Sequence, residues 1–127
     1  MSLQERLFDV LDGVVPIRRE GDGALTVQHD GTLASLRVVA IAEGLELVSL
    51  SQILAWDMPL DRQIRARIAG QARDTMLGTV TLIEKKRIGE VLLRYNFPGS
   101  GLTDDALRTL ILLVLSNGAD VRRALTG

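Results

Sequence analysis

Ala24-Leu25-Thr26-Val27-Gln28-His29-Asp30-Gly31 is the stretch that decides how this chain folds. From Leu25 to Gln28 apolar and polar residues alternate, the period of a half-buried strand. Asp30-Gly31 then supplies the dipeptide that accepts positive φ in a tight hairpin turn. Thr32 to Glu43 reads as the returning arm, with Leu36, Val38, Ala40 and Ala42 on one face and Val39 and Ile41 on the other. Gly44 permits a second turn, and Leu45 to Leu54 reads as a third strand. Strands joined by such short loops form an antiparallel meander.

Upstream, Leu3, Leu7, Val10 and Leu11 recur at helical spacing, with Ser2 as the expected cap and Gly13 as the stop. Val14 to Glu20 reads as a short strand that Pro16 confines to an edge. Downstream, Pro59 marks the switch to a helix over about Leu60 to Arg73, striped by Ile64, Ile68 and Ala72. Thr79 to Glu84 and Ile88 to Tyr95 form a second hairpin around the charged turn Lys85-Lys86-Arg87. A Pro- and Gly-rich loop leads to a final helix from Thr103 to about Leu125, and Gly118 leaves open whether it runs unbroken, kinks or divides into Thr103–Asn117 and Ala119–Leu125. The main elements run α-β-β-β-α-β-β-α. They predict one α+β domain over residues 1–127, an antiparallel sheet of about five strands packed by helices.

Composition narrows the function. Aromatic residues make up only 3%, too few for a stacking platform on single-stranded nucleic acid. Fifteen basic and sixteen acidic residues leave a net charge of -1, so no global field steers the chain to an anionic polymer or membrane. There is no Cys and a single His29, which removes thiolate chemistry and leaves no ordinary zinc ligand set or His-based dyad. No cofactor is therefore expected. The longest purely apolar run, Leu110 to Leu115, is far short of the roughly 18–20 residues that cross a bilayer, and Met1 to Arg6 lacks the apolar core of a signal peptide. A cytoplasmic protein without a membrane partner is the expectation.

Several groupings invite a chemical reading. Asp104-Asp105 at the head of the last helix could be an acid-base pair, but carboxylates in a first helical turn favour the positive end of the helix dipole and read as capping. Gly99-Ser100-Gly101 precedes that helix without the Lys-Ser/Thr of a phosphate loop. His29 sits just before the Asp30-Gly31 turn and reads as a hairpin residue. Arg62, Arg65, Arg67 and Arg73 give the middle helix a guanidinium surface, suited to an acidic protein segment or to phosphates, or else a solvated face. Trp56, the lone Trp, is placed to anchor a partner or to close one end of the core. In the last helix Leu107, Leu110, Ile111, Val114 and Leu115 suit the sheet, while Leu112 and Leu113 reach around the remaining circumference. Covering those two calls for a second copy, a client or a neighbouring loop.

Tyr95-Asn96-Phe97-Pro98, Leu102-Thr103-Asp104-Asp105-Ala106-Leu107 and Ala119-Asp120-Val121-Arg122-Arg123-Ala124-Leu125, in this order of elements, resemble the YbjN-like family. The resemblance covers about Leu3 to Leu125. It implies the α+β fold of class I type III secretion chaperones and a non-enzymatic, often dimeric, protein-binding module. It carries over no catalytic residue. The middle helix departs from the family's usual Trp, Phe and Asn, having Ala, Ile and Arg. The leading expectation is a chaperone-like or regulatory adaptor acting as a homodimer on another protein, through Leu112, Leu113, Trp56, Arg62, Arg65 and Arg73. The alternative is a nucleic-acid or phosphate-ligand protein using the Arg-rich helix and Lys85-Lys86-Arg87. An enzyme built on Asp104, Asp105 or His29 ranks below both, because no set of nucleophile, base and orienting group can be assembled.

Overall fold

The computed structural model describes residues 1–126. Helix α1 (Leu3–Leu11) starts on Ser2, whose hydroxyl accepts from the Glu5 amide while the Glu5 carboxylate accepts from the Ser2 amide. This reciprocal box satisfies two amides that a helix start leaves free. Strands β1 (Ile17–Arg19), β2 (Leu25–His29), β3 (Thr32–Ala42) and β4 (Leu45–Pro59) follow, then helix α2 (Arg62–Asp74), strands β5 (Thr79–Lys85) and β6 (Ile88–Pro98), and helix α3 (Asp104–Thr126).

The strands form one antiparallel sheet in the order β1-β2-β3-β4-β6-β5. The fold is α+β as expected, with six strands where about five were expected. The sixth is the Pro16 stretch, which pairs Ile17 with Val27 at the sheet edge. The hairpin turn forms on Asp30 and Gly31 with φ of 45° and 81°. Several boundaries differ from the sequence reading: β1 begins only at Ile17, and β6 runs past Tyr95 to Pro98. Strand β4 runs past Leu54 to Pro59 by absorbing register shifts between Ile53 and Ala55 and between Ala55 and Met58. Helix α2 starts at Arg62, because Asp61 takes the cap and accepts from the Ile64 amide at 2.7 Å.

The sheet has one covered and one open face. Leu25, Val27, Ala34, Leu36, Val48, Leu50, Leu54, Val80, Val91, Leu93 and Phe97 point to the covered face and join a single core with α1 and α3. Each Leu, Val or Phe among them, fully buried, stabilises by roughly 1.5–3 kcal/mol. Helix α3 lies over β2, β3 and β4, flanked by α1 on one side and α2 on the other. It buries Leu107, Ile111, Val114, Leu115, Ala119, Val121 and Leu125, so its own domain covers most of its apolar surface.

Helix α3 runs undivided through Gly118, 23 residues in all. The glycine is there for close approach. Gln52, on the covered face of β4, is fully buried, and its Nε2 donates to Thr32 Oγ1 at 2.8 Å and to the Leu115 carbonyl at 3.1 Å. Its Oε1 has no hydrogen-bond partner and aims at Gly118, where a Cβ would collide with it. Only the glycine α-hydrogen fits there, placed for a weak C–H···O contact.

Candidate functional site

The register places the open face in rows. Leu33, Ile53, Leu92 and Thr81 stand side by side across β3, β4, β6 and β5. The next rows are polar, Ser35-Ser51-Arg94-Thr79 and Arg37-Ser49-Asn96, and the last is Val39-Leu47-Pro98. No helix lies over these residues among the described ones; Leu33 is 38% exposed and Val39 43%. Leu92 is buried yet stands outside the core cluster, shielded by its neighbours on this face. Ile83 and Ile88 extend the apolar row toward the β5–β6 tip, both more than two-fifths exposed. Large apolar residues gathered on one uncovered sheet face, and not scattered singly, are uncommon on a soluble domain.

Trp56 joins this band. It is 55% exposed and shares a hollow of about 160 Å³ with Ile83, Ile88 and Glu90. The register shifts in β4 put it there, with Asp57 beside it at φ 52°, a left-handed conformation that Asp tolerates better than most residues. A wider groove of about 570 Å³ opens on the other side of Trp56, toward Met58, Asp61, Ile64, Arg122 and Leu125. Arg122 is half-buried and donates to the Leu54 carbonyl at 2.7 Å, so it anchors α3 to β4. Trp56 therefore stands between two openings and does not close the core.

The basic helix is solvated. Ile68 is the only buried residue of α2. Arg62, Arg65, Arg67 and Arg73 are all exposed. Arg65 donates two hydrogen bonds to the Glu84 carboxylate, which is held below its ordinary pKa by that guanidinium. Arg73 lies 3.5 Å from Asp74. Leu112 and Leu113 part company: Leu112 is half-buried, while Leu113 is 53% exposed on the outside of α3. The expected surface residues thus fall in three places, with Trp56 at the open sheet face, the arginines on α2, and Leu113 alone on α3. The register-defined row of Leu33, Ile53 and Leu92 was not singled out from sequence. Only the pairing of β4 with β6, a contact between distant segments, brings it together.

The other chemical groupings resolve into structure. The Thr103 hydroxyl accepts from the Ala106 amide at 3.1 Å, which caps α3. Asp104 accepts from Arg6 Nε at 2.8 Å and Asp105 from Arg108 at 3.0 Å. Gly99 is buried against Val48 and Leu3, and its amide donates to the Glu46 carbonyl at 3.1 Å, so this loop ties β6 to the start of β4. His29 is half-buried, with its ring 3.8 Å from the Asp30 carboxylate and its carbonyl accepting from the Thr32 hydroxyl at 2.6 Å. Among the described residues no group of three His, Cys, Asp or Glu could hold a metal ion, and no helix is long and apolar enough to cross a membrane.

No family model matches the chain, and no curated protein matches its sequence. Among solved structures it is similar to YbjN from E. coli, a protein ascribed a role as a transcription regulator. The two superpose with a TM-score of 0.63 over 93% of this chain and 87% of that one, at 12% sequence identity. The fold of this chain is YbjN-like.

Proposed function

We propose that this chain is a non-enzymatic protein-binding module, chaperone-like or a regulatory adaptor, that works in the cytoplasm as a homodimer. The observation that carries the reading is the open sheet face. Among the described residues no helix lies over the band of Leu33, Ile53, Leu92, Ile83, Ile88 and Trp56, while the helices pack on the opposite face. A second copy of the same surface covers such a band at the lowest cost in new sequence, since a twofold interface uses one patch twice. The regulator role ascribed to YbjN agrees with a protein that acts through binding. The alternative of a nucleic-acid or phosphate ligand on α2 is weaker, because Arg65 is already engaged by Glu84. Light scattering on the purified protein at high micromolar concentration tests the reading. A dimer supports it, and a strict monomer sinks the homodimer.

A further inference from the structure

The two free edges of the sheet are treated differently. Edge strand β1 is three residues long, follows Pro16 and carries Arg18 and Arg19. Shortness, proline and charge are the devices by which proteins blunt an edge. Edge strand β5 has none of them over Thr79-Val80-Thr81-Leu82-Ile83. It pairs with β6 in unbroken register, without a bulge. Helix α2 meets β5 on the covered face, where Arg65 reaches Glu84. Among the described residues, no backbone hydrogen bond from outside the sheet reaches Thr79–Lys85. A row of amides and carbonyls is left facing outward, the template for an added strand.

The charge around this edge is not that of the molecule. Residues 61–98 carry eight basic and four acidic side chains, net +4, while the rest of the chain carries -5. Four of the eight lie on α2, and the other four sit at the two ends of β5. Lys85-Lys86-Arg87 forms the tip at one end, and Arg94 stands opposite Thr79 at the other. We propose that the free edge of β5 receives an acidic extended segment of a partner protein as a seventh strand. The segment places carboxylates near both of its ends and uncharged β-formers between them. A second copy fits this edge poorly. Antiparallel pairing about a twofold at Leu82 would set Lys85 of one copy opposite Thr79 of the other, two strands from its Arg94 and on the same face. Like charges brought together in this way select against self-pairing.

This inference rests on the reading of the chain as a protein-binding module and names the class of its partner. The test uses the full chain and the capped peptide Glu-Glu-Val-Thr-Val-Thr-Val-Glu-Glu, with a Lys-for-Glu version and a single-stranded oligonucleotide as further probes. The expected result is that the acidic peptide binds and slows amide exchange within Thr79–Lys85. The triple variant Lys85→Glu, Lys86→Glu, Arg87→Glu, at exposed positions and checked for fold by circular dichroism, should weaken that binding about tenfold or more. Unchanged exchange in β5 at millimolar peptide, equal binding of the Lys peptide, or binding of the oligonucleotide alone overturns the proposal. If the peptide fails while light scattering shows a dimer, this inference falls and the module reading stands. If the chain is a monomer and the peptide protects β5, the reverse division holds for the homodimer.

Discussion

Gln52 and Gly118 show what one residue can decide. A glutamine at a core position of β4 lets α3 descend only where the helix has no side chain. An exposed helical Gly→Ala change usually gains about 1 kcal/mol in helix propensity. Gly118→Ala should instead cost roughly 1–3 kcal/mol, read from urea unfolding, because the added methyl must displace Gln52. Gln52→Met should cost roughly 1–3 kcal/mol, since it removes the unpartnered Oε1 but also the bonds that Nε2 donates to Thr32 and to the Leu115 carbonyl. Neither residue was legible as such in the sequence. Gln52 occupies an apolar register position with a polar name, and Gly118 reads as a helix breaker until its neighbour across the core is known. Trp56 was legible as a candidate but not as a sheet residue, because Asp57 and Pro59 disguise a bulged strand as a connection.

Elements differ in how firmly they are held. Helices α1 and α3 share the core, whereas α2 is attached through Ile68 and the half-buried Ile64. Amide exchange should therefore be faster in α2 than in α3, a ranking that hydrogen-exchange mass spectrometry reads directly. Ile68→Ala should cost about 2–4 kcal/mol and loosen α2 first. Element type and order were readable from periodicity and from turn chemistry, as Asp30-Gly31 and the Ser2 cap illustrate. The placement of β6 between β4 and β5 was not, because it depends on pairing between segments that local sequence does not connect.

The whole molecule is a two-layer fold with its helices on one side, its apolar band on the other and its positive charge at the β5 end. Four surface carboxylates lend it stability that acid removes. Hydrogen bonds from Ser2, Thr26, Arg37 and Arg65 hold Glu5, Glu20, Asp22 and Glu84, respectively, below their ordinary pKa values. A carboxylate depressed in the folded state stabilises above its unfolded pKa, about 3.9–4.3, and that contribution disappears as pH falls through the folded value. Thermal midpoints should thus be steady above about pH 5 and decline below it; a constant midpoint down to pH 3 would contradict these contacts.

The open sheet face and the exposed Leu113 of α3 are rival surfaces for a second copy, and both can be changed without touching the core. The molar mass by light scattering of Leu33→Glu/Ile83→Glu beside that of Leu113→Glu, at the same high micromolar concentration, separates them. The sheet-face variant should be a monomer and the helix variant an intact dimer. A dimer that survives the sheet-face changes, or one that Leu113→Glu alone abolishes, would contradict this expectation.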